Sequence, residues 1–200
     1  MKKMKIFRYT FLLIFFYFLS INNSWSKSAS EFISSLTNEA SSILSSKLTD
    51  DQKIIELKKI GESSVDIEGV GLYTLGKYRK ILTDNQKELY KELFKNYFLK
   101  SFSGRLVGYT DAKIAVLSEE IKNEKYTIVY TKLIGNSERP EVKIDWRVYT
   151  KDPENPLVRD LVIEGLSLAR TQKEEFNSII ANNNDNVEAL FENLNKFLEN

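Results

Sequence analysis

Two carboxylates and one hydroxyl near the C-terminal end of the sequence are of types that could support chemistry. Asp160, Glu164 and Ser167 lie in a segment that has the pattern of a strand, a break at Gly165 and the start of a helix. Paired carboxylates can act as general acid and base, and an activated serine can act as a nucleophile. This segment is therefore the first candidate for an active site.

The spacing of these side chains argues against catalysis. Residues four apart on a strand share a face, but at roughly 3.3 Å per residue Asp160 and Glu164 lie about 13 Å apart, too far to act on one bond. The sequence contains no histidine that could activate Ser167. We expect Asp160 to pair with Arg147 across two strands and Glu164 to lie at a turn. Ser167 is expected to be a turn or capping hydroxyl.

The composition excludes further classes of function. With no His and no Cys, the chain cannot form His-based general bases, thiol nucleophiles, His/Cys metal sites or disulfides. Of the 29 Lys and Arg residues four lie in the first eight positions, which leaves about 25 against 28 Asp and Glu. A net charge of about −3 for the remainder argues against nucleic acid binding.

The N-terminus has the pattern of an export signal. Four cations lie between Lys2 and Arg8, an apolar run follows from about Tyr9 to Ile21, and Ser24 and Ser26 suit a signal peptidase. The apolar run is shorter than the roughly 20 residues that span a bilayer. We predict that residues 1–26 are a cleaved signal peptide and that residues 27–200 form a single exported domain without a lipid anchor.

Residues 29–102 show helical periodicity. Capping-box patterns begin at Thr49 and Thr83, and Asp66 can cap a short helix. The first predicted helix covers about 29–46, the second follows the cap at Thr49 and stops at Gly61, the third continues through Leu75, and the fourth covers about 85–102 and is ended by Gly104 and Gly108. The third contains three glycines within or next to it, so it is either irregular or closely packed by a neighbour.

The period changes to two after residue 112. Four strands are predicted over 113–119, 126–133, 142–150 and 157–164, joined by short polar turns that make them antiparallel neighbours. Two helices follow, at about 172–181 and 187–198, the first capped by Thr171 with Glu174. The order predicts an α+β fold: a curved antiparallel sheet of about four strands, covered by N-terminal and C-terminal helices that enclose an apolar cavity.

Three segments, in this order, resemble the MlaC or toluene-tolerance auxiliary family. The first match comprises Leu75, Gly76, Tyr78, Arg79, Thr83 and Gln86. The second is the aromatic helix with Phe94, Phe98 and Phe102. The third is the segment described first, with Asp160, Ile163, Glu164, Gly165, Ser167, Leu168 and Phe176. Together they span roughly residues 30–198.

The resemblance implies a periplasmic phospholipid carrier without catalytic activity, metal or cofactor, whose cargo is the bound lipid. Its partners would be an inner-membrane ABC transporter complex and an outer-membrane lipoprotein complex, touched transiently by a monomer to maintain outer-membrane lipid asymmetry. The tails would lie in a cavity between the sheet and the covering helices. The expected lining comprises Ile128, Tyr130, Ile144, Trp146 and Val148 on the sheet, Val70, Leu75, Phe94, Phe98 and Phe102 on the helices, and Tyr73, Tyr78 and Arg79 at the mouth.

Other interpretations stay open from the sequence alone. Any one of these apolar side chains could belong to an ordinary core, and Arg79 could be a surface cation. A small enzyme on a similar curved-sheet scaffold would need an Asp, Glu or Tyr pair converging in the pocket. A non-catalytic adaptor for protein partners would need exposed apolar surface and no internal cavity.

Overall fold

The computed structural model describes residues 28–110, 112–136 and 139–200. The predicted signal peptide therefore lies outside the described residues. Six α-helices and one short 3₁₀ helix are found in the described ranges. They are α1 (Ala29–Leu44), α2 (Asp50–Ser64), α3 (Ile67–Thr74), the 3₁₀ helix (Gly76–Lys80), α4 (Asp84–Leu106), α5 (Leu168–Asn182) and α6 (Glu188–Glu199).

Side chains at the helix starts explain where the N-terminal helices begin. Thr49 and Thr83 each close a capping box with the glutamine three residues later, as predicted. Asp66 accepts a hydrogen bond from the amide of Gly69 and caps α3. The predicted end at Gly61 is wrong, because α2 continues through it to Ser64. Helix α4 passes through Gly104 but ends at Leu106, before Gly108. The roughly 1 kcal/mol propensity cost of one glycine is small against the tertiary packing that stabilises the rest of each helix.

The glycines of α3 allow a close helix contact. A Cβ atom on Gly71 would lie 2.7 Å from Cδ1 of Phe94 on α4, well inside van der Waals contact. Of the two possibilities left by the sequence, close packing is therefore correct at this position. The helix stops before Gly76, whose φ of +56° suits glycine.

Five strands form one antiparallel sheet in the order β1-β2-β3-β4-β5. The second, third and fourth strands match the prediction to within one residue at each end, whereas the first continues to Asn123, four residues beyond its predicted end. The fifth is a two-residue strand that the sequence pattern did not predict. The strands are β1 (Ile114–Asn123), β2 (Tyr126–Leu133), β3 (Val142–Tyr149), β4 (Leu157–Ile163) and β5 (Leu166–Ser167). The predicted α+β class with an open, curved antiparallel sheet is confirmed.

Helices and sheet form a closed ring of contacting elements. Helix α1 packs on β1 and β2, and α2 packs on α1. Helix α4 packs on α2, and α3 packs on α4. Helix α3 also contacts β4, which closes the ring at the sheet. The last contact is anchored by a parallel bridge between Val65 and Val158 and by the ion pair of Arg159 with Asp66. Within the described ranges, no helix is both long and apolar enough to cross a membrane.

Candidate functional site

The residues that first suggested an active site form a structural junction between β4 and α5. The Asp160 carboxylate, 8% exposed, accepts hydrogen bonds from Arg147 Nη1 at 3.1 Å, Ser167 Oγ at 2.6 Å and the amide of Ala169 at 3.0 Å. Ser167 in turn accepts from the amide of Arg170 and caps α5. The predicted Asp160 to Arg147 pair and the capping role of Ser167 are confirmed.

Two corrections concern the same junction. Helix α5 begins at Leu168, so the predicted start near Gln172 with Thr171 as its cap is wrong. The Thr171 hydroxyl instead donates to the carbonyl of Ser167 within the first turn. A serine already held by a buried carboxylate is a preorganised cap, and it starts the helix four residues before the sequence pattern does.

Glu164 lies in the turn, as predicted. Glu164 and Gly165 have φ of 49° and 84°, the two positive values of a two-residue hairpin that joins β4 to β5. The Glu164 carboxylate accepts a hydrogen bond from the amide of Lys143 at 2.5 Å and ties the turn to β3. Asp160 and Glu164 therefore each accept a hydrogen bond from a backbone amide, and their hydrogen-bond partners are different.

Most of the buried apolar residues fall into two clusters that share no member, while Leu44, Leu57, Ile60 and Leu99, on α1, α2 and α4, belong to neither. The helical cluster is built by α3, α4, α5, α6 and the 3₁₀ helix, and it includes Leu75, Tyr78, Phe94 and Phe176. The sheet cluster is built by α1 and the inner face of the sheet, and it consists of Ala29, Ile33, Val129, Val148 and Val158. The two clusters belong to opposite parts of the ring of elements.

Large apolar side chains at the margins of these clusters are only half-buried. Examples that were not expected to line a cavity are Ile67, Leu72, Val116 and Leu161. Five of the expected lining residues are also half-buried: Val70, Phe98 and Phe102 on the helices, and Ile144 and Trp146 on the sheet. Phe98 stacks on Phe102 with ring centroids 5.7 Å apart and an interplanar angle of 9°. We call these five residues the inner wall.

Polar atoms of the sheet beside the inner wall are satisfied locally. The indole Nε1 of Trp146 donates to Thr131 Oγ1 at 3.0 Å, and Thr131 Oγ1 donates to the carbonyl of Ile144 at 2.8 Å. In the described part of the chain, no buried side-chain nitrogen or oxygen lacks a hydrogen-bond partner. The wall therefore offers a ligand mainly apolar surface.

The strand register corrects the placement of two expected lining residues. Val129 lies opposite Trp146 and Thr131 opposite Ile144, whereas Ile128 faces Arg147 and Tyr130 faces Asp145. Ile128 and Tyr130 therefore lie on the outer face of the sheet, where the Tyr130 hydroxyl donates to Glu120 at 2.7 Å. The predicted face was wrong because the apolar Ile128 and Tyr130 lie outside, while the inner face of β2 carries Val129 between two buried threonines. The prediction omitted Val129, which lies on the inner face. Knowledge of the register would have identified Val129, because it places this residue directly opposite Trp146 on the same face of the sheet.

The remaining expected residues lie in two environments. Leu75, Tyr78, Phe94 and Val148 are almost completely buried in the two clusters, behind the inner wall. Tyr73 and Arg79 are exposed, and Lys173 Nζ lies 5.1 Å from the centre of the Tyr73 ring. The Tyr78 hydroxyl donates to Asp185, which together with Lys77 lowers the pKa of that carboxyl.

Burial also marks Tyr90 as structural. Its side chain is enclosed by the helical cluster, and its hydroxyl lies 2.8 Å from Thr74 Oγ1. Desolvation raises the pKa of Tyr90 far above its usual value, so the phenol stays neutral. No group of three or more Asp and Glu side chains that could hold a metal ion is found in the described ranges.

Comparisons with known proteins agree with this geometry. The family model described as MlaC protein matches residues 29–196. The fold is similar to that of a phospholipid-binding protein from Ralstonia solanacearum, solved in complex with a phospholipid. The two chains are 17% identical with a TM-score of 0.72, and the alignment covers 86% of this chain and 98% of the other. The resemblance seen in the sequence is thus confirmed, and the chain belongs to the MlaC family.

Proposed function

We propose that this protein is a periplasmic phospholipid carrier that holds the acyl chains of its cargo against the inner wall. The observation that carries the proposal is the presence of two separate apolar clusters, one among the helices and one at the sheet, with large half-buried aromatic side chains that neither cluster encloses. Membership in the MlaC family supports it. The solved phospholipid complex of a protein with the same fold also supports it.

The energetics of the cargo explain why such a wall is needed. A phospholipid with two chains carries roughly 30 methylenes, and at about 0.8 kcal/mol each their exposure costs on the order of 25 kcal/mol. A carrier in water must therefore envelop the tails. Acyl chains between the clusters would complete the burial of Phe98, Phe102 and Trp146.

The lining is proposed in three parts. Val70, Phe98, Phe102, Ile144 and Trp146 contact the tails. Leu75, Phe94 and Val148 support that surface from behind. Tyr73 and Arg79 lie at the mouth, where the exposed guanidinium of Arg79 can meet the phosphate of a headgroup that remains in water. Tyr78, expected at the mouth from the sequence, is buried and supports the helical cluster instead.

Carriage without covalent chemistry fits the polar groups of the fold. The carboxylates that suggested catalysis hold backbone and side-chain donors at the β4 to α5 junction. Affinity then comes from burial of the tails, and a headgroup left outside explains how several headgroups could be carried.

As a shuttle, the protein would accept and deliver lipid at membrane-bound complexes. We propose that residues 1–26 direct export and are removed, and that residues 27–200 act as one domain. The partners are an inner-membrane ABC transporter complex and an outer-membrane lipoprotein complex, and the exchange maintains outer-membrane lipid asymmetry. Transfer of labelled lipid to the reconstituted complexes would test this role separately from binding.

Native mass spectrometry of the purified protein tests lipid binding directly. We expect one mass series of the protein with phospholipid, and loss of that series in Phe98→Glu, which places a charge on the inner wall. Leu89→Glu is the matched control, because Leu89 lies on the exposed side of the same helix. A wild-type protein that carries no phospholipid after expression, and takes none from liposomes, would refute the proposal.

A further inference from the structure

A second concave surface lies on the outside of the helices, between α2, α4 and the C-terminal end of α6. This outer groove has a volume of about 990 Å³. Its floor is apolar and is formed by Ile54, Ile55, Leu99, Phe197 and Leu198. Two of these are unusually open for large apolar side chains, with Ile55 54% and Phe197 38% exposed.

The charges around the outer groove are strongly unbalanced. Its lining contains Lys58, Lys59, Lys100 and Arg105, against the single carboxylate of Glu62. Glu62 is already paired with Lys95 at 2.8 Å, and Lys59 with Glu56 at 2.7 Å. The groove is therefore a basic surface on a chain whose residues 27–200 carry a net charge of about −3.

Three cations of the groove remain available for an anionic partner. In the described part of the chain, none of the ion pairs involves Lys58, Lys100 or Arg105. Lys100 is held in place by the carbonyls of Phe197 and Leu198, at 3.2 and 2.9 Å, where its charge also suits the C-terminus of α6. A fixed cation beside exposed apolar side chains is suited to a partner that is itself amphipathic.

We propose that the outer groove binds an acidic amphipathic helix of another protein. Helices α2 and α4 pack antiparallel here, since Glu62 pairs with Lys95 while Ile54 and Arg105 line the other end. From Asn96 to Arg105 the groove follows ten residues of α4, and the nine rises between them span roughly 14 Å at about 1.5 Å each. That length accommodates between two and three turns of a helix, with its apolar stripe on the floor and its acidic flanks against the cations.

The other occupants fit less well. The N-terminal segment of the same chain carries Lys2, Lys3, Lys5 and Arg8 and would be repelled. A flat anionic bilayer would reach the cations at the rim but would not fill a concave groove of about 990 Å³. The inference is independent of lipid carriage, because it involves none of the inner-wall residues.

A designed peptide is the probe for this surface. It has about fourteen residues, with leucines at helical i, i+3, i+4 and i+7 positions and glutamates on both flanks, and a second peptide has lysines in place of the glutamates. Fluorescence anisotropy with residues 27–200 should show that the acidic peptide binds at least about tenfold more tightly, and that added salt weakens it.

Variants locate the binding. We expect Lys58→Glu/Arg105→Glu to weaken the acidic peptide about tenfold or more, and Ile55→Asp to weaken it similarly. Lys125→Glu/Lys151→Glu makes the same change in net charge in two turns of the sheet and should have little effect. Circular dichroism and bound phospholipid, read in every variant, should stay unchanged, which separates this result from failure of lipid carriage.

Three results would overturn the proposal. One is equal binding of the two peptides, and another is equal affinity of the groove and control variants. The third is that the acidic peptide does not bind while another occupant does, in a manner that depends on Lys58 and Arg105. That occupant could be a vesicle with about 30% phosphatidylglycerol, or a second copy of the chain detected by light scattering.

Discussion

The helical cluster and the inner wall are built from the same kinds of residues but differ in how completely the protein buries them. Phe94, Phe98 and Phe102 lie one turn apart on α4, with neighbouring ring centroids 6.3 and 5.7 Å apart. Phe94 is 2% exposed inside the helical cluster, whereas Phe98 and Phe102 are only half-buried. One aromatic stripe thus passes from the protein core to the proposed lipid-binding surface along a single helix.

This difference teaches how stability and binding can be separated in one fold. A side chain that is fully buried by its own protein contributes all of its burial free energy to folding. A side chain that becomes fully buried only when a ligand binds contributes the remaining part of that free energy to ligand binding. Substitutions in the cluster should therefore destabilise the empty protein. Substitutions in the inner wall should mainly reduce lipid binding.

The largest effect is expected for Phe176→Ala in the helical cluster. Phe176 is 1% exposed and contacts the rings of Phe94 and Tyr97, with centroids 6.2 and 5.6 Å away. Its truncation leaves a cavity and should lower the free energy of unfolding by about 3–5 kcal/mol, measured by urea denaturation. Phe197→Ala, at a site that is 38% exposed, should cost about 1 kcal/mol or less and is the control. Equal losses would show that the cluster is no better packed than the surface.

The next effect is expected at the junction of β4 and α5. Asp160→Asn keeps the shape of the side chain but weakens its acceptance of three donors, of which the Arg147 guanidinium is charged. We expect a loss of about 2 kcal/mol in the free energy of unfolding. Asp145→Asn, on the adjacent strand and half-buried, is the control and should change stability little. A similar loss in both variants would argue against a special role for the junction.

Much of the fold followed from local patterns in the sequence. The capping boxes at Thr49 and Thr83 and the alternation of β3 depend on neighbours a few residues away, so they can be predicted without tertiary information. The start of α5 could not, because Ser167 is selected as its cap by Asp160 seven residues earlier. The N-terminal limit of that helix is thus set by a contact through space.

The site was less predictable than the fold for a related reason. Which face of β2 is internal depends on its register with β3, and the alternation of Ile128 and Tyr130 with Val129 is compatible with either choice. Similarly, the periodicity of α4 places Phe94 and Phe98 on the same face of the helix. It does not indicate how far the neighbouring helices cover that face. The extent of burial is a property of the assembled layers, not of the stripe.

The third prediction tests the inner wall against the cluster on one helix. Phe98→Ala should cost about 1–2 kcal/mol in the delipidated protein, since its ring is only partly buried, and Phe94→Ala should cost about 3–5 kcal/mol. Bound phospholipid per protein, measured by extraction and mass spectrometry, should fall in Phe98→Ala at a temperature where it remains folded. A normal lipid content in Phe98→Ala and Trp146→Ala together would place the lipid elsewhere.

The smallest effect concerns a single carboxyl at the edge of the helical cluster. The hydrogen bond from Tyr78, and secondarily the charge of Lys77, hold the pKa of Asp185 below its ordinary value. A lowered folded-state pKa stabilises the protein above the pKa of the unfolded chain, about 4, and this contribution is lost as the pH falls through the folded value. In Tyr78→Phe the pKa of Asp185, followed by NMR titration of its carboxyl, should rise toward the ordinary value. The stability difference between wild type and variant should also narrow below about pH 4.

Lys77→Gln should raise the pKa of Asp185 by a smaller amount, because it removes a charge in water and leaves the hydrogen bond. If the lysine variant gave the larger change, the loop that carries Asp185 would be held by surface charge and not by the buried ring of the cluster.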